Sequence, residues 1–221
     1  MAVIKAVLLD AGGVLFNNVT EESAFFPLLA RRHGASEARM REYVDRHDAE
    51  YETDTRHVHD VLADALVAAG ALPDVPIDRA WIDRLYLSSA IRYEDAFAEV
   101  ERLRRVAPAV TVALANNEAA HWDHLKDGRH GHLRLFDVVA SSWRVGAVKP
   151  TAEYFDRVLT ACGCVASEAL FLDDNPTVVQ AAQRLGIRAT WLSGPCALGP
   201  ALRDVPALAT TGADRHDREE V

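Results

Sequence analysis

The stretch A-V-L-L-D-A-G-G-V-L-F, running from Ala6 to Phe16, decides the fold. Val7, Leu8 and Leu9 form an apolar run with no helical period, and the run ends on one acid, Asp10. A short apolar run bounded by glycines reads as a strand buried on both faces, as in a parallel sheet. In open α/β sheets ligands sit at the carboxyl ends of the strands, which is where Asp10 stands. Gly12 and Gly13 let the backbone turn closely around whatever binds there. An Asp in a strand-ending turn is common in itself, so Asp10 takes its weight from the later strand ends.

Working outward, the next seventy or so residues carry helical patterns and no convincing strand. Glu21 to Arg32 has apolar residues at helical spacing and closes at His33-Gly34. Ser36 opens an acid- and arginine-rich helical stretch towards Tyr51, His57 to Ala69 stops at Gly70, and Asp78 to Ser88 follows a Pro-rich connector. A strand-helix rhythm then resumes. Glu94 to Arg105 reads as a helix and Val110 to Leu114 as a strand, with His121 to Lys126 as a helical turn and Asp127 to His132 as a polar loop. Asp137 to Ala140 is a short strand leading into a loop, Ser141 to Pro150. Thr151 caps a helix through Ala161, Ala169 to Leu172 is a strand, Asn175-Pro176 starts a helix that Gly186 ends, and Ile187 to Leu192 is a fifth strand. This alternation predicts an α/β fold, a doubly wound parallel sheet with an inserted all-helical cap subdomain. The expected division is a core of residues 1–16 and 94–205, a cap of 17–93, and a loosely held tail of 206–221.

The totals narrow the function classes. The net charge of −9 argues against salt-driven binding to nucleic acid. Three cysteines without a C-x-x-C pair fit a reducing, cytoplasmic setting. No apolar run approaches the ~18 residues needed to span a membrane, and the start lacks a signal peptide's pattern. Of 24 basic residues only Lys5, Lys126 and Lys149 are lysines. In so arginine-rich a chain, a lysine suggests a place that needs a compact ammonium.

The predicted strand ends bring together Asp10, Asn116, Lys149 and the pair Asp173-Asp174. Three carboxylates, an amide and an ammonium around one crevice suit a carboxylate nucleophile, Mg²⁺ held by the other acids, and a lysine that neutralises the oxygens. Each has a duller reading: acids at a helix start favour the dipole, most lysines are on the surface, and Asn116 could form a turn. The cap histidines and Trp81 and Tyr86 read mainly as face or core residues, His121 as a structural residue behind the site, and His130 and His132 lack a third metal ligand at a recognisable spacing.

The set and its order resemble the haloacid dehalogenase-like hydrolase superfamily. The resemblance runs from Ala6 to Leu192 and rests on DAGGVL, LANNEAAHW, GAVKP and FLDDNPTVVQAAQRLGI. It is nearest the capped branch written D-x-G-[GN]-V at the first motif and S-N-T-N-x-x-H at the second, many of whose members are phosphatases of small phosphorylated metabolites. The resemblance implies that Asp10 takes up the phosphoryl group, and that Asp10, Asp173, Asp174 and the Gly12 carbonyl hold Mg²⁺. It also implies that Lys149 bridges Asp10 and the phosphoryl oxygens, and that Asn116, with Gly12 and Gly13, binds substrate.

Three positions depart from the family pattern. Gly12 stands where the family has its second Asp, the general acid for the leaving oxygen, an effect worth roughly 10²–10⁴ in rate. Ala115 stands where a Ser or Thr is usual, although a register shifted by one would put Asn116 there and Asn117 in the amide role. Val178 replaces a common Asn or Asp. The expectation is therefore a Mg²⁺-dependent phosphatase working through an aspartyl-phosphate. It would either favour good leaving groups or borrow an acid from the cap, where His47, His57, His59 and Asp60 are candidates. The alternatives are a degenerate binder of a phosphorylated ligand or protein partner, and a metal-free 2-haloacid dehalogenase-like hydrolase. The oligomeric state is left open.

Overall fold

A computed structural model describes residues 3–204. The strands form one sheet of five parallel strands in the order β3-β2-β1-β4-β5, which is the doubly wound arrangement expected. The strands are β1 (Ala6–Leu9), β2 (Thr111–Leu114), β3 (Val138–Val139), β4 (Ala169–Asp173) and β5 (Arg188–Trp191). The central strand β1 is buried throughout, and its side chains alternate between two cores, as a strand's period of two requires. Val7 and Leu9 face one core, built with Phe97, Val100 and Leu103, while Ala6 and Leu8 face the other, built with Tyr154, Phe155 and Val158.

Between β1 and β2 the chain forms α1 (Val19–Glu22), α2 (Phe25–His33), α3 (Glu37–Arg46), α4 (Asp48–Glu52), α5 (Val58–Ala68), α6 (Arg79–Ser89) and α7 (Glu94–Val106). Six of these precede the return to the sheet and form a separate apolar cluster around Phe25, Leu29, Leu62 and Tyr86. Trp122, from the helix after β2, joins that cluster, stacking on Tyr86 with ring centroids 4.2 Å apart. The helical insert is thus packed directly on one end of the sheet domain. The expected helix over Glu21 to Arg32 is broken at Ser23, whose hydroxyl donates to the Val19 carbonyl and accepts from the Phe25 N–H. The stretch towards Tyr51 is likewise broken, at His47, whose φ of −121° ends α3 before α4 begins.

The second half holds α8 (Ala120–His130), α9 (Ser142–Val145), α10 (Ala152–Cys162), α11 (Pro176–Arg184) and α12 (Leu198–Arg203). Two expectations are corrected here. The polar loop over Asp127 to His132 is mostly the last turn of α8, which continues through Gly128 to a left-handed Gly131 because Trp122, Asp123 and Lys126 anchor one face of it inside the protein. The loop Ser141 to Pro150 contains the short helix α9. The Gly- and Pro-containing stretch after Ser193 forms α12, with Leu198 and Leu202 buried in the core beside α7. The expected tail, 206–221, lies outside the described residues. No helix among the described residues is long and apolar enough to cross a membrane.

Candidate active site

The parallel register sets the geometry. Leu9 pairs with Leu114 on one side and with Leu172 on the other, so the next residues, Asp10, Ala115 and Asp173, emerge together at the carboxyl edge. Backbone bonds continue past the strand ends, Asp10 N–H to the Leu172 carbonyl at 3.0 Å and Ala115 N–H to the Leu9 carbonyl at 2.7 Å. Lys149 reaches in from the loop before α10. Its Nζ donates to Asp10 Oδ1 and to Asp173 Oδ2, both at 2.7 Å, with all three side chains buried. Asp174 completes a set of three carboxylates whose oxygens lie within 4.8 Å of one another. Asp174 is held by Asn18 Nδ2, which donates to its Oδ2 at 3.0 Å.

Charge is concentrated here. Burial, with Asp173 and Asp174 adding to it, pushes the Asp10 carboxyl well above the usual range despite Lys149. Burial likewise raises Asp174. Burial opposes the charge on Lys149, but Asp10 and Asp173 outweigh it and hold the ammonium protonated. Three acids against one ammonium form the environment in which a divalent cation binds through oxygen ligands.

The glycines fit tightly. Gly13 has a left-handed φ of 63°, and a Cβ there would lie 1.9 Å from Asp174 Oδ2. A Cβ on Gly12 would lie 2.1 Å from Asn18 Oδ1. Asn116 is 2% exposed, and neither its Nδ2 nor its Oδ1 has a hydrogen-bond partner among the described residues. Asn117 is committed elsewhere: its Nδ2 donates to the Lys149 carbonyl at 3.1 Å and its Oδ1 accepts from the Lys149 N–H at 2.8 Å. Of the two registers at the second motif, only the first therefore leaves an amide free for a ligand, and Asn117 braces the lysine loop instead.

A model of the haloacid dehalogenase-like hydrolase family matches residues 4–186. The chain belongs to that family. The hydrolase is 25% identical over 224 residues to a validoxylamine A 7'-phosphate phosphatase of Streptomyces hygroscopicus subsp. limoneus, covering 98% of this chain and 95% of that one. It is 33% identical over 104 residues to phosphatase MT3486 of Mycobacterium tuberculosis (strain CDC 1551 / Oshkosh), covering 47% and 48% respectively. Among solved structures, the magnesium complex of the family enzyme bt-2542 from Bacteroides thetaiotaomicron superposes with a TM-score of 0.70 at 21% identity, covering 86% of this chain and 94% of the other.

Between the sheet edge and the helical insert, the hydrolase has a pocket lined on the sheet side by Ala11, Gly12, Asn116 and Asn117 and on the insert side by Thr20, Tyr51, Glu52 and Tyr86. Lys126 and Glu118 line it too; they form an ion pair, and Glu118 also accepts from Tyr86 Oη at 3.1 Å. Neither had been singled out as a site residue from the motifs. The scarcity of lysine was the usable signal, because two of the three lysines, Lys126 and Lys149, are the buried ones beside the pocket. Glu52 was missed altogether, since a single acid in an acid-rich helical stretch has no distinguishing pattern.

None of the cap candidates for an acid lines this pocket. His47 Nδ1 is bonded to Glu50, and Asp60 pairs with Arg79. His59 and His121 both place Nε2 on Asp83 Oδ1, at 2.7 and 2.9 Å, which makes His121 a tie between α8 and the insert, consistent with a structural role. His132 is fully buried on Asp123, whose other oxygen accepts from Ser141 and from Trp143. Burial pushes the Asp123 carboxyl up, but these donors and nearby Lys126 overcome it and hold it at about 2.

Proposed function

We propose that this hydrolase is a Mg²⁺-dependent phosphatase of the family's capped branch. It would hydrolyse a small phosphorylated metabolite through an aspartyl-phosphate on Asp10. The observation that carries the reading is the Lys149 ammonium shared at 2.7 Å between Asp10 and Asp173, with Asp174 alongside. Residues 17–93 serve as the cap over a core of 1–16 and 94–205.

In this reading Asp10 attacks phosphorus while Lys149 favours the ionised form of the nucleophile and neutralises the phosphoryl oxygens. Charge on those oxygens peaks in the transition state, so a fixed ammonium and the unpaired Asn116 amide stabilise it more than the ground state. The carboxylates of Asp10, Asp173 and Asp174 and the Gly12 carbonyl would hold Mg²⁺. When bound, the cation supplies further positive charge to the phosphoryl group. Gly13 keeps the backbone close enough to Asp174 for the acids to converge.

Two observations favour a phosphatase over a metal-free dehalogenase. Three clustered carboxylates exceed what one ammonium offsets, which without a cation would suppress the charge of the nucleophile. The relative matched along nearly its whole length is named for acting on a phosphorylated metabolite. The polar lining of Thr20, Asn116, Asn117 and Glu118 suits a hydroxylated substrate. Release of phosphate from acetyl phosphate and from a panel of phosphorylated metabolites, with and without Mg²⁺, tests the proposal. Turnover that needs both Mg²⁺ and Asp10 is expected, and equal turnover by Asp10→Asn would refute it. An inert protein that still binds phosphorylated ligands would establish the degenerate alternative.

A further inference from the structure

Gly12 leaves the site without the acid that usually sits two residues after the nucleophile, and the space is not free for one, because Asn18 Oδ1 fills it. An alkoxide leaving group needs a proton as its bond to phosphorus breaks. The acidic side chains lining the pocket are few. Glu118 is engaged by Lys126 and Tyr86. Tyr51 and Tyr86 are driven by burial well above the ordinary phenol range, so neither is a ready donor. Glu52 is the remaining candidate among the described lining residues, and its carboxylate has no hydrogen-bond or ion-pair partner there.

The placement of Glu52 is fixed by the core. Its carbonyl accepts from Ser142 Oγ at 2.6 Å, and Ser142 Oγ in turn accepts from the Glu118 N–H at 3.0 Å. One serine on α9 therefore fastens the end of α4 to the loop that follows β2. The neighbouring Tyr51 packs against Trp122 of α8, with ring centroids 6.1 Å apart. Glu52 thus belongs to the insert by sequence but is held at the sheet edge by two core elements.

We propose that Glu52 is the general acid of this enzyme, protonating the leaving oxygen across the pocket in place of the missing acid at Gly12. The inference rests on the phosphatase reading above. In the first half-reaction an Asp10 oxygen bonds to phosphorus, the bond from phosphorus to the leaving oxygen breaks, and the Glu52 carboxyl proton goes to that oxygen. The product is an alcohol, and Glu52 is left as carboxylate. In the second half-reaction water attacks phosphorus, Asp10 is released with inorganic phosphate, and the proton lost by the water restores Glu52, directly or through solvent.

The groups that act on Glu52 from each neighbouring element favour a protonated acid near neutral pH. Burial raises its carboxyl to about 8, and Asp48 on its own helix, Glu118 after β2 and Asp10 after β1 push the same way, with Lys149 opposing them. Lys126, which also faces the pocket, is paired with Glu118.

The test is Glu52→Gln, with the leaving group's release measured at enzyme in excess over substrate, so that only the first half-reaction is read. For an alkyl phosphate, the rate is expected to fall by roughly 10²–10⁴. For acetyl phosphate, whose leaving group needs no proton, it is expected to stay within about threefold, which also shows that the variant is folded. The wild-type rate on the alkyl ester should decline as pH passes about 8, and the variant should lack that limb. An equal loss on both substrates, or no loss on the alkyl ester, would overturn the role of Glu52 while leaving the phosphatase reading intact. Wild-type protein inactive on both would overturn the two together.

Discussion

Replacing Lys149 by Met removes the ammonium and keeps most of the side chain's volume. Its Nζ makes two charge-assisted bonds of 2.7 Å to carboxylates that are themselves buried. Taking away one partner of a buried ion pair costs about 3–5 kcal/mol, because the remaining charge is stranded. For a chain of this length that corresponds to a fall in Tm of roughly 6–20 °C. The loss should depend on pH in a definite direction. Asp10 already titrates higher folded than unfolded, and without Lys149 it titrates higher still. Between the two values the folded state keeps a proton that the unfolded state has released, so stability falls as pH rises. The deficit of Lys149→Met against wild type should therefore be smaller at pH 5 than at pH 8, and Mg²⁺ should recover part of it at pH 8 by supplying positive charge to the same oxygens. Differential scanning fluorimetry at the two pH values, with and without Mg²⁺, measures all of this. A variant that melts within roughly 2 °C of wild type at pH 8 without metal would show that the ammonium does not neutralise these acids.

Other outcomes follow from the same geometry. Gly13→Ala should abolish turnover, since its Cβ would meet Asp174 at 1.9 Å in a left-handed backbone that itself costs an alanine about 1–2 kcal/mol; phosphate release alongside a thermal melt checks it. Gly12→Asp, although it restores the family's usual acid, should lower activity because Asn18 must swing off Asp174, whereas the same change combined with Asn18→Gly should regain activity on alkyl phosphates. Asp123→Asn should destabilise by about 3–5 kcal/mol in urea unfolding while leaving KM nearly unchanged, because its partners are structural. The stability that Asp123 contributes is present above the unfolded carboxyl's ordinary range and is lost as pH falls towards about 2, so the variant and wild type should converge in acid.

The strand ends were legible because an apolar run there meets an acid or a polar turn, and Asp10 and Asp173 fall at those contrasts, while Lys149, in the loop before α10, stood out by the scarcity of lysine. The C-terminal half of α8 shows where that contrast fails. Gly128 and its polar neighbours resemble a loop, and only burial of Trp122, Asp123 and Lys126 on one face keeps the helix going. α9 is too short to have a period at all. Glu52 depends on two events that leave no local mark, the break at His47 that separates α4 from α3 and the hydroxyl of Ser142, ninety residues away, that fixes its carbonyl. The acid missing at Gly12 could be noticed from the motif, but the substitute proposed for it could be sought only once the chain was folded.

The unequal burial of the lysines has a practical side. Lys126 and Lys149 are shielded behind carboxylates, with side-chain exposures of 5% each, while Lys5 is 59% exposed next to Glu168. Lys5 precedes β1 and Asp10 follows it, so the open lysine sits at the opposite end of the central strand from the pocket. An acylating dye or an activated resin would thus find one lysine to react with, and would label or tether the molecule by its far end while the entrance stayed facing the solvent.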